Sequence, residues 1–117
     1  MTKQKLQKNL KQIIKDIEPY KPEKIILYGS CARGDFRKDS DIDLFIIKKT
    51  KENAFDRIRK VSNLIYKSEY FGNDKKFPGS IDIIVYTPKE LKYRYDLGDF
   101  FIKDILKEGK IIYERKL

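Results

Sequence analysis

The sequence of 117 residues contains no histidine. This absence excludes a histidine-based catalytic triad, a histidine general base and the usual histidine-containing zinc sites. A metal ion bound by this chain would therefore be held by carboxylate oxygens. Oxygen ligands favour a hard cation such as Mg²⁺ or Mn²⁺.

Cysteines and long apolar segments are also scarce. Cys31 is the single cysteine, so no internal disulfide can form, which agrees with a reducing compartment. No apolar run approaches the ~18 residues of a membrane span, and the first residues, M-T-K-Q-K-L, lack the apolar core of a signal peptide. We therefore expect a cytoplasmic protein that does not enter a membrane.

Charge, in contrast, is abundant. Charged residues make up 38% of the chain, and the net charge is +9. One interpretation is a lysine-rich solvated surface, and another is attraction to polyanions such as a nucleotide, a nucleic acid or an acidic protein. The basic residues are scattered and form no lysine/arginine block, so direct binding of nucleic acid is not expected. The length fits one domain, residues 1–117.

Three stretches have the apolar spacing of helices. The first covers Leu6–Ile17 and should end near Glu18, because the residue before a proline is disfavoured in a helix. The second covers about residues 52–66. The third begins at Thr87, where Thr, Pro and Glu90 form a capping box. Its predicted interruption and stop are at Gly98 and Gly109.

Short apolar runs predict strands at four places: Ile25–Tyr28, Ile42–Ile47, Ile81–Tyr86 and Ile111–Tyr113. Strands that alternate with helices predict an α/β class of fold, a sheet with helices packed on it. Two polar segments, 34–40 and 70–80, are predicted loops. The aromatic side chains of the second loop could cover a pocket or fix the loop to the core; they are Tyr70, Phe71 and Phe77.

Aspartates occur where the strand pattern predicts buried or converging positions. Successive strand residues face opposite sides, so Asp41 and Asp43 share one face and one end of their strand. Asp82 has a similar place in the next strand. If these strands are neighbours, three carboxylates converge, and their repulsion favours a divalent cation between them. The alternatives are a turn or cap role for Asp41 and an exposed strand start for Asp82.

A Gly-Ser pair follows the first strand. Gly29 would let the backbone approach an anion, and Ser30 could add a hydroxyl donor at a helix start. A plain turn in which Ser30 is the N-cap explains the same pair. Arg33 could reach a phosphate with two hydrogen bonds, and Arg37 and Lys38 could do so more loosely, or all three could be solvated loop charges.

The arrangement G-S-x10-D-x-D resembles the signature of the nucleotidyltransferase superfamily related to DNA polymerase beta. Within it, the chain is similar to the minimal nucleotidyltransferases, or MNT domains. The matching segments are Ala32–Gly34, Asp39–Leu44, Asp82 with Thr87–Glu90, and Ile105–Glu114. The resemblance covers essentially the whole chain and implies the polymerase beta-like core, a small mixed β-sheet flanked by helices.

The resemblance also implies roles for the site residues. Gly29 and Ser30, with Arg33, would bind the triphosphate of ATP. Asp41 and Asp43 would hold two Mg²⁺ ions, and Asp82 would complete the second metal site and help to deprotonate an acceptor hydroxyl. This chemistry requires no histidine, since bound metal ions lower the pKa of the acceptor.

Many MNT proteins are similar to antitoxins that transfer AMP to a tyrosine of a HEPN-domain toxin, and we expect such a partner here. The alternatives are a small-molecule acceptor, as in aminoglycoside nucleotidyltransferases, a non-catalytic module that covers a toxin, and a nucleic-acid polymerase, which would need accessory domains. Four aromatic residues could supply a further interface, for example in an oligomer: Tyr93, Tyr95, Phe100 and Phe101.

Overall fold

The computed structural model describes residues 1–67 and 79–116. The helices are α1 (Lys3–Ile17), α2 (Ser30–Arg33), α3 (Ala54–Tyr66), α4 (Pro88–Asp96) and α5 (Phe100–Glu108). The strands are β1 (Lys24–Tyr28), β2 (Ile42–Ile47), β3 (Ile81–Tyr86) and β4 (Lys110–Glu114). A 3₁₀ turn at Glu18–Tyr20 follows α1. Tyr70, Phe71 and Phe77 lie outside the described residues.

The strands form one mixed sheet in the order β3-β2-β1-β4. Strand β1 is antiparallel to both of its neighbours, whereas β2 and β3 are parallel. The parallel pair is connected through α3, as parallel neighbours require a crossover. This arrangement confirms the predicted sheet with helices packed against it.

The two faces of the sheet carry two separate apolar layers. On one face Ile42, Leu44 and Ile46 pack with the buried sides of α1 and α3. On the other face Phe45 and Ile47 pack with Ile102 and Ile105 of α5. The alternation predicted for β2 is therefore confirmed.

The helix ends follow local chemistry. Helix α1 ends at Ile17, two residues before Pro19, and α4 begins with the predicted capping box, in which Thr87 and Glu90 bond each other's backbone N–H. Gly98 separates α4 from α5 and has a positive φ of 81°. None of the helices in residues 1–67 and 79–116 combines the length and apolarity needed to cross a membrane.

Helix α3 departs from its predicted pattern. It begins at Ala54, with Asn53 as its N-cap, slightly later than predicted. The apolar face predicted from the sequence included Phe55 and Ile58, but Phe55 is 72% exposed and Ile58 is also exposed. A charged residue, Arg57, is buried in their place.

The guanidinium of Arg57 joins three elements. Its Nη1 lies 2.6 Å from Oε1 of Glu90, the capping-box residue of α4, and also donates to the carbonyl oxygen of Val85 in β3. Its Nε donates to the carbonyl oxygen of Glu52 over 2.7 Å. Arg57 therefore satisfies buried backbone acceptors that no apolar residue could satisfy.

We predict that Arg57→Met lowers the free energy of unfolding by about 2–4 kcal/mol, because it leaves buried acceptors without donors. Arg59→Met is the matched control, since Arg59 is exposed and pairs with Asp56 on the surface; its effect should stay within about 0.5 kcal/mol. Urea denaturation measures both, and equal losses would contradict this role for Arg57.

Candidate active site

The residues singled out in the sequence meet at one end of the sheet. Because β1 is antiparallel to β2, the last residue of β1, Tyr28, lies beside Asp43 near the start of β2. Because β2 and β3 are parallel, Asp43 is in turn the register partner of Asp82. The Gly29–Ser30 turn leaves the sheet at this same end.

Asp43 and Asp82 form a pair of neighbouring carboxyl groups. The pKa of Asp43 is raised to about 6, first by burial, then by the charge of Asp82 and a side-chain hydrogen bond with it, and further by the charge of Asp41. The charge of Arg33 acts in the opposite direction. Burial and the neighbouring carboxyl groups therefore both favour the protonated form of Asp43.

Asp41 is directed elsewhere. Its Oδ1 accepts a hydrogen bond of 3.0 Å from the backbone N–H of Ser80. This bond, together with a side-chain hydrogen bond from Ser80, holds the pKa of Asp41 below its ordinary value. The N–H of Ile42 donates to the carbonyl oxygen of Ser80 over 2.9 Å, so the starts of β2 and β3 are tied together at Asp41.

Gly79 allows the backbone before β3 to lie close to the backbone of Ser40, before β2. A Cβ atom on Gly79 would lie 2.5 Å from the carbonyl oxygen of Ser40, nearer than side chains tolerate. The sequence analysis gave no role to Gly79 or Ser80. Their position directly before the strand that carries Asp82 is the one feature of the sequence that could have indicated a role for them.

The side chains at this site have the donor chemistry that a divalent cation requires, but they do not form a complete set of ligands. Within residues 1–67 and 79–116, no three metal-ligating side chains are grouped closely enough to form a ligand set. Asp43 and Asp82 are nevertheless adjacent hard oxygen donors whose mutual repulsion a divalent cation would relieve. The structure thus brings two of the three predicted aspartates together and turns the third toward Ser80.

Gly29, rather than Ser30, is the N-cap of α2. The prediction that Ser30 is the N-cap was therefore wrong by one residue. Gly29 has φ 76° and ψ −157°, a conformation essentially restricted to glycine. A Cβ atom there would also collide with Oδ2 of Asp43. Glycine is thus required at this turn by the backbone conformation and also by the contact with Asp43. Local sequence propensity does not reveal the second requirement.

Of the basic residues after the turn, Arg33 lies near the carboxyl groups, whereas Arg37 and Lys38 have no described contact with them. Nε of Arg33 lies 3.3 Å from Oδ2 of Asp35, and both side chains are largely exposed. Arg33 is near enough to Asp43 for its charge to oppose the rise of the Asp43 pKa. The backbone N–H of Arg37 donates to Oγ of Ser40, which closes the loop before β2; no side-chain contact ties Arg37 or Lys38 to the carboxylates among the bonds described.

Helix α5 forms a wall beside the turn. A small cavity of about 190 Å³ is lined by Tyr28, Gly29, Arg33 and the α5 residues Phe101 and Asp104, among others. The rings of Tyr28 and Phe101 pack edge to face, with centroids 5.7 Å apart. Burial and the charges of Asp43 and Asp82 raise the pKa of Tyr28 to about 12, so its hydroxyl stays protonated. The sequence analysis assigned no role to Tyr28.

Cys31 has a structural role at this end of the sheet. Its Sγ donates to the carbonyl oxygen of Asp41 over 3.3 Å, which links α2 to the start of β2. Burial raises the pKa of the Cys31 thiol, and the charge of Asp43 raises it further. Cys31 is therefore a protonated packing residue and not a nucleophile.

Comparison with known proteins identifies the family. The model of the nucleotidyltransferase domain matches residues 7–113, nearly the whole chain. The chain belongs to the nucleotidyltransferase domain family. A search of curated proteins gives no significant match.

A solved structure supports the same conclusion. A protein from Sulfolobus solfataricus, provisionally assigned as a nucleotidyltransferase, is similar to this chain with a TM-score of 0.58 and 26% identity. The similarity covers 92% of this chain and 79% of that protein. The nucleotidyltransferase fold predicted from the sequence is therefore confirmed. Domains of this family typically use a nucleoside triphosphate and a divalent cation, which agrees with the paired carboxylates beside the Gly29 turn.

We predict that Gly29→Ala destabilises the protein by about 2–3 kcal/mol, because it combines backbone strain with a collision against Asp43. Gly34→Ala is the matched control. Gly34 also has a positive φ, 90°, but a Cβ atom there meets nothing within 4 Å, so its cost should be about 1 kcal/mol. Chemical denaturation compares the two, and equal costs would show that the Asp43 contact contributes nothing.

We predict that Asp43→Asn stabilises the metal-free protein at neutral pH. The folded-state pKa of Asp43 is raised to about 6 from the ordinary 3.8, so the wild-type protein loses stability as pH rises through this interval and the uncharged variant does not. The difference should be ~1–2 kcal/mol at pH 7.5, after allowance for solvent screening, and should vanish near pH 3.5.

Denaturation in EDTA across this pH range measures the effect, with Asp41→Asn as the control. The pKa of Asp41 is lowered in the folded state, so its ionisation favours folding, and its replacement should not stabilise the protein at neutral pH. A wild-type protein that is more stable than Asp43→Asn at pH 7.5 would contradict the predicted sign.

Proposed function

We propose that this nucleotidyltransferase transfers AMP from ATP to a hydroxyl group of a protein partner, with Mg²⁺ as its cofactor. The observation that carries the proposal is the position of Asp43, which lies against the Gly29 turn and is the register partner of Asp82. One side of this site can hold cations, and the other can receive phosphate oxygens at the start of α2. Residues 1–117 are proposed to act as one domain in the cytoplasm.

The residues have the following proposed roles. Gly29 and the backbone N–H groups after it, with the hydroxyl of Ser30 and the guanidinium of Arg33, hold the triphosphate. Asp41, Asp43 and Asp82 would hold two Mg²⁺ ions, with Asp41 keeping one carboxylate oxygen on Ser80. When bound, these ions neutralise the triphosphate and lower the pKa of the acceptor hydroxyl.

The reaction exchanges one P–O bond for another and transfers one proton. The acceptor oxygen attacks the α-phosphorus of ATP, and the bond from that phosphorus to the oxygen bridging the β-phosphate breaks, so pyrophosphate leaves. Asp82 is exposed at the edge strand β3, which suits it to accept the proton of the incoming hydroxyl. Arg33 and the N–H groups of the turn remain on the phosphate oxygens throughout.

A protein acceptor is favoured by large apolar side chains that are exposed on α4, after α4 and at the start of α5. Phe100 is 82% exposed and Tyr93 is 63% exposed, and Leu97 lies between them in the chain. Exposed apolar groups of this kind commonly mark protein interfaces. Phe101 connects this surface to the site, since it packs on Tyr28. The resemblance to MNT antitoxins suggests a tyrosine of a HEPN-domain toxin as the acceptor.

We predict that Asp43→Asn lowers AMP transfer to a co-expressed HEPN-domain protein at least about 100-fold, because it removes a charged donor from the cation site. Mass spectrometry of the partner and release of pyrophosphate measure the transfer. Asp96→Asn is the matched control, because Asp96 pairs with Lys92 on the surface of α4, and it should transfer normally.

Thermal unfolding supplies a second measurement. Mg²⁺ with ATP should raise the melting temperature of the wild-type protein and leave that of Asp43→Asn nearly unchanged. Undiminished transfer by a folded Asp43→Asn protein would disprove the proposed site. Transfer to small molecules alone, with the partner unmodified, would disprove the proposed acceptor and leave the site intact.

A further inference from the structure

A second pocket lies at the opposite end of the sheet from the carboxyl pair. It has a volume of about 440 Å³, within the range of small-molecule sites. Lys48, which directly follows β2, and Lys21, shortly before β1, both line it. Asp43 is five residues before Lys48, so the strand places the two sites about 16 Å apart.

The pocket carries a concentrated positive charge. Four of its lining residues are lysines and one is a glutamate, Glu52. Lys60 pairs with Glu52 over 2.7 Å, which leaves the charges of Lys21, Lys48 and Lys67 uncompensated by acidic lining residues. A larger cavity of about 530 Å³ between α4 and the edge of the sheet has three basic and two acidic lining residues. High net charge alone therefore does not produce such a lysine cluster in every pocket.

Lys48 is the most constrained of these lysines. Its Nζ donates to the carbonyl oxygen of Lys21 over 3.1 Å and lies 5.0 Å from the centre of the Tyr20 ring. Burial lowers the pKa of Lys48. The charge of Glu23 acts in the opposite direction, and the charges of Arg115 and Lys21 lower the pKa further. A cation held in such surroundings is stabilised by any anion that enters the pocket.

Tyr20 supplies an unused donor in the same place. The residue is 8% exposed, and its buried hydroxyl has no hydrogen-bond partner among residues 1–67 and 79–116. Burial, followed by the charge of Glu52, raises the pKa of this hydroxyl, so it remains a donor. Buried hydroxyl groups are normally paired, and an acceptor supplied from outside the chain would pair this one.

The backbone at Lys21 is also unusual. Lys21 has φ 56°, and it is the one non-glycine residue with a positive φ in the described part of the chain. Its carbonyl oxygen accepts from Lys48 and, over 3.5 Å, from Nη1 of Arg115. Strained backbone is often found at binding sites, and here it holds one carbonyl oxygen between two cations.

We propose that this pocket, named the lysine pocket, binds a small phosphate-bearing anion through Lys21, Lys48 and Lys67, with the buried Tyr20 hydroxyl reaching the anion through one water. Inorganic phosphate, pyrophosphate and a nucleoside diphosphate share this chemistry. Pro19 and Leu64 supply an apolar wall that only an organic ligand would use. The site is separate from the carboxyl pair, and its binding requires no nucleotidyl transfer.

Calorimetry with phosphate, pyrophosphate and ADP, each titrated separately, tests the proposal. The solutions contain EDTA and physiological salt, so that no divalent cation bridges the ligand to Asp43 and weak surface attraction is screened. We expect saturable binding of at least one ligand. A preference for ADP over pyrophosphate would indicate an organic ligand, and the reverse would indicate an inorganic one.

Single substitutions locate the binding. Lys48→Met or Lys67→Met should weaken it about tenfold or more, since each removes a charge-assisted contact. Lys107→Met, at an exposed position of α5, removes the same charge from a different part of the surface and should change affinity less than about twofold. Lys67→Met also covers the case in which Lys48→Met fails to fold, because Lys67 is exposed.

Tyr20→Phe provides a result that a purely structural role would not give. It should raise the melting temperature without ligand, because it removes a buried unpaired hydroxyl, and it should reduce the further rise caused by the ligand. Absence of saturable binding by the wild-type protein at millimolar ligand would overturn the proposal. So would an equal loss in Lys107→Met and Lys67→Met, which would show diffuse attraction to the whole surface.

Discussion

Two like charges held side by side are the constraint on which this structure depends. The parallel register of β2 and β3 places Asp43 opposite Asp82, and the antiparallel register of β1 adds Tyr28 and the Gly29 turn. The backbone register therefore keeps the two aspartates adjacent. The repulsion is therefore built into the central pairing of the sheet, where a raised pKa at Asp43 is its visible consequence.

The surrounding elements preserve this arrangement from three sides. The backbone N–H of Ser80 donates to the carboxylate of Asp41, and its carbonyl oxygen accepts from the N–H of Ile42. These two bonds fix the register between the starts of β2 and β3. Arg57 bonds the far end of β3 to α3 and to the capping box of α4. Phe101 packs on Tyr28 from α5. Each contact joins residues distant in sequence, and together they fix a site that no single segment could hold.

The sequence predicted what depends on local periodicity and failed where a distant contact decides. The strand phase of Asp43 and the capping box of Thr87 are local, and both predictions were confirmed. Ser30 was assigned as N-cap from propensity, but the proximity of Asp43 requires glycine at the cap position. Phe55 was assigned to the buried face of α3, yet the acceptors on neighbouring elements bring Arg57 there instead. The bond from Ser80 to Asp41 has no sequence signature beyond its place before β3.

The charge of the chain and the charge of its site oppose each other, and this opposition bears on the substrate. A net charge of +9 attracts any nucleotide to the molecule. At the carboxyl pair, however, a bare triphosphate meets negative charge, whereas a triphosphate that carries its divalent cations brings the neutralising charge with it. On the proposed function, the site therefore selects the metal-bound nucleotide by electrostatics alone.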